Sequence, residues 1–318
     1  MSQFELTILG CSSATPTSTR NPTAQLLQVA GRFFLIDCGE ATQIQLRKYK
    51  VKFQRIDHIF ISHLHGDHYL GLMGLLSSMH LLGRTKELFL FCPPGLDEII
   101  NVQLRHSATV LNYTIHYRFH DTGRQELLLE DDRITVETII LNHRIPCCGF
   151  LFKEKSKSRN LKKETISEYR ISLAALQPIK NGADYTSSDG RQIPNSQLTY
   201  PQTPSYSYAY CSDTCYDESV IRQVGPVSVL YHESTFTEEM RKRAKETFHS
   251  TARDAGMVAA AAGVGKLILG HYSARYTDLN PLLEEARSVF PNTILSYEGL
   301  KVQIGEEDSS PNPATEPD

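Results

Sequence analysis

Four metal-grade side chains within six residues, His63-Leu64-His65-Gly66-Asp67-His68, follow directly on an apolar β-type run at residues 56–62. Neutral imidazole and carboxylate are the usual ligands of hydrolytic zinc sites. Gathering four of them is costly unless a cation holds them together, because buried polar groups need partners. Such an array, closing a strand and opening a helix, predicts a metal site. It also calls for a fold that presents strand ends at an open rim, as α/β sheets do.

The surrounding pattern is α/β. Strands are expected at residues 4–9, 24–29, 32–37, 56–62 and 88–92, and several more between 113 and 152. Helical spacing covers 40–49, 69–82 and 95–108. A second batch has strands at 206–211, 228–232 and 266–269 and helices at 238–246, 252–262 and 279–289. Between the batches, residues 153–205 are polar and irregular, with one helix-like stretch at 164–176. Loops this long are usually functional or disordered, so the segment is read as an excursion from the globule.

At 318 residues the length prior allows about two domains, although α/β folds of this size often form one. Apolar and charged fractions of 40% and 22% are ordinary for a globular chain. No apolar stretch approaches the roughly 20 residues that span a bilayer. The start lacks a basic region followed by an apolar one, so no signal peptide is expected. Seven cysteines without small-domain spacing suggest reduced thiols. The expectation is a soluble cytoplasmic protein. A net charge of −3 argues against indiscriminate nucleic-acid binding, but the balance is uneven. Residues 306–318 hold five acids and no base, and read as a disordered acidic tail. Lys153, Lys155, Lys157, Arg159, Lys162 and Lys163 stand against Glu154 alone, a local phosphate-attracting patch or a solvated loop.

One motif cannot close a metal site by itself. His143, Asp213 and His271 each follow a strand run and could project from the same rim, making seven ligands. If one carboxylate bridges, these serve two metals with a shared hydroxide. Asp213 suits the bridge, though an aspartate after a strand can also be a turn cap. A histidine-majority nitrogen and oxygen set favours Zn²⁺, with Mn²⁺ or Fe possible. Cys147, Cys148, Cys211 and Cys215 read as packing thiols, and His58, His80, His106, His116 and His120 as structural.

The motif with His143, Asp213 and His271 in that order resembles the metallo-β-lactamase superfamily and, more narrowly, the ribonuclease Z family of tRNA 3′-end endonucleases. Residues 4–10 leading to Pro16-Thr17-Ser18-Thr19-Arg20-Asn21 are similar to the family's opening strand and P-x-K-x-R-N loop, with Ser18 where the family has a base. His232-Glu233-Ser234-Thr235 resembles its H-E-A-T-type loop, His249-Ser250-Thr251 its H-S-T loop, and Asp37-Cys38-Gly39-Glu40 its D-x-G-E turn. The match covers about residues 3–304.

The resemblance implies an αββα sandwich forming one catalytic domain over 1–305. Residues 153–205 would be a tRNA-binding arm, though without the Gly/Pro-rich tip of many members. It implies two zinc ions per subunit, one on His63, His65, His143 and Asp213, the other on Asp67, His68, His271 and Asp213. It also implies a homodimer in which one subunit's arm clamps the precursor tRNA docked on the other. The expected reaction is two-metal hydroxide attack, leaving a tRNA 3′-hydroxyl and a trailer 5′-phosphate. Asp67 would ligate metal and handle the attacking proton, His249 would protonate the leaving oxygen, and Glu233 would hold His249. Arg20, Asn21, Ser250 and Thr251 would contact RNA near the cut, with Lys157 and Arg159 farther away. Two rival readings are a two-zinc phosphodiesterase or esterase for small substrates and a non-catalytic metal-stabilised RNA-binding protein.

Overall fold

Two seven-stranded sheets stack face to face, with helices on both outer faces. The computed structural model describes residues 4–305; the acidic tail lies outside them. The first sheet contains β1 (Phe4–Gly10), β2 (Ala24–Val29), β3 (Arg32–Ile36), β4 (Ile56–Phe60), β5 (Leu88–Cys92) and β6 (Ile115–Phe119). The second begins with β7 (Leu127–Glu130), β8 (Ile134–Ile140) and β9 (Cys148–Glu154). After β10 (Tyr185–Thr186) and β11 (Gln192–Ile193) of the inserted segment, it continues with β12 (Ser207–Cys211), β13 (Val229–Glu233), β14 (Lys266–Gly270) and β15 (Thr293–Leu295). A last strand, β16 (Lys301–Gln303), returns to pair with β1.

Burial on both faces explains the apolar runs. In β3, Phe34 and Ile36 face the inter-sheet core while Phe33 and Leu35 face the helices. Aromatic rings lock the sheets together: Phe60 stacks on Phe91 at 4.5 Å and meets Phe150 edge-on at 5.3 Å. On the first sheet's outer face lie α1 (Thr42–Lys48), the single turn α2 (Gly66–Tyr69), α3 (Leu72–Leu81) and α4 (Leu96–His106). The helix expected over 69–82 is therefore broken before Leu72. Gly71 abuts the Gly39 carbonyl so closely that a Cβ would come within 2.0 Å of it. The motif's helix thus lasts one turn and is pinned to the turn after β3.

The excursion at 153–205 is more ordered than its sequence suggested. It holds α5 (Lys163–Glu168), α6 (Leu173–Lys180), the β10–β11 hairpin and α7 (Asn195–Leu198) around Ile171, Ile179, Ile193 and Leu198. The single helix expected at 164–176 is two, separated where Arg170 adopts φ 49°. On the second sheet's outer face lie α8 (Glu218–Val224), which periodicity missed, then α9 (Arg241–Thr247), α10 (Ala252–Ala262) and α11 (Asn280–Arg287). The short strands β15 and β16 were missed as well.

Strand direction positions everything functional. β9 is antiparallel to both β8 and β12, while β12, β13 and β14 are mutually parallel. The C-terminal ends of β8, β12, β13 and β14 therefore share one rim. The inserted segment joins the end of β9 to the start of β12, where Lys153 pairs with Ser207, so it emerges at the opposite edge. Strands of this length separate the two by roughly 20 Å. Among the described residues, no helix is long and apolar enough to cross a membrane.

Candidate metal centre

All seven donor residues converge at that rim. His63 and His65 follow β4, Asp67 and His68 lie in α2, and His143, Asp213 and His271 follow β8, β12 and β14. Their donor atoms form two groups, His63, His65, His143 and Asp213, and Asp67, His68 and His271, and His249 lies close enough to form a third with Asp213 and His271. In the first, His65 Nδ1 lies 3.1 Å from both His63 Nε2 and His143 Nε2. Asp213 Oδ2 lies 3.6 Å from the same two Nε2 atoms. Zinc with bonds of about 2.0–2.1 Å in a tetrahedron sets its donors roughly 3.3 Å apart. The spacing fits. Asp213 Oδ1 turns to the second group, 3.3 Å from His68 Nε2 and 3.1 Å from His271 Nε2. One carboxylate thus faces both groups, one oxygen to each.

Hydrogen bonds behind the rings fix which nitrogen faces inward. His68 Nδ1 donates to Asp37 Oδ2 at 2.8 Å, and His143 Nδ1 to the Phe248 carbonyl at 2.9 Å. His271 Nδ1 lies 3.0 Å from Thr235 Oγ1, whose own hydrogen goes to Glu233. His63 Nδ1 lies 3.0 Å from Ser62 Oγ, whose hydrogen goes to Asp37. All four therefore turn Nε2 to the interior. Burial, then neighbouring His68, holds His63 neutral; burial likewise lowers His65 and His143.

The fit to metal rests on orphaned atoms. Nε2 of His68 and of His271 are buried without a hydrogen-bond partner, which a polar interior does not tolerate unrewarded. Burial opposes charge on His68, but Asp213, Asp67 and Asp37 outweigh it and raise its pKa well above the ordinary range. The pocket favours positive charge. It is a metal-binding centre of nitrogen and oxygen donors.

Asp37, Ser62, Tyr210 and Thr235 support the donors from behind; Asp37 and Thr235 entered the sequence reading only as parts of family motifs, and Ser62 and Tyr210 were missed. Asp37 also accepts from the Ser62 amide at 2.8 Å and from Tyr210 Oη at 2.6 Å, tying β12 of one sheet to the end of β3 in the other. Asp37 and His271 both adopt left-handed backbone, with φ of 54° and 56°. Non-glycine residues held there carry strain that clusters at functional sites. An acid directly after a buried strand, like the predicted ligands, was the available signal for Asp37.

Beside the donors, His249 Nδ1 bonds Glu233 Oε1 at 2.7 Å. Burial opposes a charged ring, but the Glu233 carboxylate outweighs it and lifts the His249 pKa to about 9. Glu233 is itself fixed by the Thr214 and Thr235 amides. Asp67 Oδ2 accepts from the Ala14 amide at 2.7 Å. Asp67, His143, Asp213 and His249 line an open cleft of about 380 Å³.

The expected RNA contacts fare less well. Ser250 is buried and its hydroxyl donates to the Thr214 carbonyl; Thr251 is buried and caps α10. Neither hydroxyl is available to RNA. The Arg20 guanidinium donates to the Ser273 and Tyr276 carbonyls, and Asn21 bonds Glu298. These two brace the rim. Lys157, paired with Glu154, and Arg159 line a separate cleft of about 240 Å³ on the inserted segment with Lys180.

A family model described as the anti-Pycsar protein Apyc1 matches residues 4–157. Near full length, the chain is 48% identical over 304 residues to the ribonuclease Z of Phocaeicola vulgatus, spanning 96% of this chain and 98% of the relative. It is 47% identical over 312 residues to that of Cytophaga hutchinsonii, spanning 96% and 99%. Among solved structures, the short form of human tRNase Z matches with TM-score 0.68 at 24% identity, covering 95% of this chain and all of that one. A metallo-β-lactamase fold protein from Bacillus subtilis matches with TM-score 0.65 at 18% identity, covering 94% and 99%. The αββα sandwich is the metallo-β-lactamase fold.

Proposed function

The chain belongs to the ribonuclease Z family, and on that premise we propose that it is a metal-dependent endoribonuclease removing the 3′ trailer from precursor tRNA. The observation that supports this best is the pairing of a two-part donor set with a carboxylate-held histidine at one cleft. His63, His65, His143 and Asp213 Oδ2 would hold one Zn²⁺, and Asp67, His68, His271 and Asp213 Oδ1 a second, with Mn²⁺ or Fe as alternatives. Ions bound there make hydroxide available at neutral pH and stabilise charge on the attacking and leaving oxygens.

The chain's own residues supply the proton traffic. Asp67, oriented by the Ala14 amide, accepts the proton of the attacking water. His249 gives its Nε2 proton to the leaving 3′-oxygen, since Nδ1 is committed to Glu233. Glu233 keeps the ring oriented and charged until transfer, the usual role of a carboxylate behind histidine. The products are a tRNA ending in a 3′-hydroxyl and a trailer with a 5′-phosphate.

Residues 153–205 are assigned as the tRNA-binding arm of a single catalytic domain, with Lys157 and Arg159 on the RNA backbone. Phosphate contacts position without reading sequence, so selection rests on tRNA shape. The arm emerges at the edge opposite its own site, which supports a homodimer whose arms serve each other's substrate. Unpaired cysteines support a cytoplasmic setting.

Incubation with a 3′-extended precursor tRNA tests the reading. One cut at the tRNA–trailer junction with those two end groups is expected. Hydrolysis of small phosphodiesters with an intact precursor would favour the small-substrate alternative.

A further inference from the structure

Among the described residues, Arg144 is the sole lysine or arginine lining the catalytic cleft. The charged carboxyl side chains there are Glu40, Asp67 and Asp213, a poor surface for a polyanion. Arg144 is exposed, and no carboxylate pairs with it among the described residues. Its Nη2 lies 3.4 Å from His65 Nε2, the ring nitrogen that faces away from the donor group. The guanidinium therefore stands one imidazole width outside the reacting centre, in reach of an adjacent phosphate rather than of the scissile one.

The histidine rings give the direction. His249 and His143 lie 5.2 Å apart, His143 and His65 5.0 Å apart, and Arg144 stands past His65. Two rings, His143 and His65, thus lie between it and the proposed proton donor, which marks the leaving-oxygen side. The backbone carrying it is firmly held. The Asn142 amide donates to Thr214 Oγ1 at 3.1 Å and its carbonyl accepts from Cys215 at 2.9 Å. His143 Nδ1 donates to the Phe248 carbonyl. A pre-positioned guanidinium suits two-pronged phosphate binding.

We propose that Arg144 grips the first internal phosphate of the trailer, the linkage immediately 3′ of the scissile one, and so sets the register of the cut. This rests on the ribonuclease reading and on His249 serving the leaving oxygen.

The test compares wild type, R144A and R144K on precursor tRNAs carrying a single neutral methylphosphonate. The neutral linkage sits either at that trailer position or at the linkage 5′ of the cut. On the all-phosphate precursor, R144A lowers kcat/KM about 10–100-fold, as for a lost charge-assisted contact. Metal content and melting temperature stay unchanged. With the neutral trailer linkage, wild type falls to the level of R144A, and R144A loses nothing more. With the neutral 5′ linkage, R144A keeps its full penalty. R144K restores part of the rate as a point charge without the fork. Independent, multiplying losses at the trailer linkage would overturn the assignment, as would coupling to the 5′ linkage instead. A wild-type enzyme that cuts no precursor removes the ribonuclease reading and this assignment with it.

Discussion

The two ends of β9 and β12 carry opposite kinds of structure. At one end, His63, His68, Asp213, Glu233 and His271 are at most 2% exposed, and His63, His68 and His271 are each held from behind by a second residue. At the other, the inserted arm is made of helices of six, eight and four residues around a four-residue apolar cluster. Chemistry at phosphorus needs donors fixed to a fraction of an ångström. Holding a large substrate needs reach and charge, which a small separable unit supplies. On the proposed function, turnover and affinity are carried by different regions, so they should be separable by mutation.

The strongest test of that division is D213A. It removes oxygens facing both donor groups, so turnover on precursor tRNA and on a small phosphodiester should both fall below detection, with bound metal lost. Activity surviving on either substrate would break the division. Next, H249A should lower kcat about 10²–10⁴-fold with metal content intact. In the same pair, E233Q should move the alkaline fall of kcat to lower pH. The carboxylate holds the ring protonated up to about pH 9, and without it the general acid loses its proton sooner. An unmoved alkaline limb would assign the proton elsewhere.

The arm gives the converse. Replacing residues 157–203 with a short turn keeps the Lys153–Ser207 pairing that closes the stem. Affinity for precursor tRNA should drop about 10–100-fold and lose much of its salt dependence, as Lys and Arg contacts disappear. Hydrolysis of a small phosphodiester should stay within about twofold, because no donor lies on the arm. A matching collapse there would couple the two regions. The smallest effect should come from T251A. Losing the cap of α10 costs about 1 kcal/mol of stability, read as a lower melting temperature. RNA affinity should not change.

Legibility in the sequence followed the same division. The seven donors were readable because ligand chemistry needs particular residue types, and strand ends are marked by apolar runs giving way to polar turns. His249 and Glu233 were reachable only through family resemblance, since a His-Ser-Thr at a helix start has an ordinary capping explanation. That explanation holds for Thr251, which caps α10, while Ser250 instead donates to the Thr214 carbonyl; spacing alone could not separate either from His249. Asp37 was in view, but its role depends on Ser62, His68 and Tyr210 meeting around it from both sheets, a tertiary fact. The arm's first two helices read as one because the break at Arg170 leaves no mark in so short a period, and α7 and α8, of four and seven residues, are too short to show one.

The central claim is that one carboxylate joins two donor groups into a single two-ion centre. Anomalous diffraction from crystals of the zinc-loaded enzyme tests it most directly. The account predicts two ions about 3.5–4 Å apart, with Asp213 contacting both. A single ion, or a pair in which Asp213 touches only one, would contradict it.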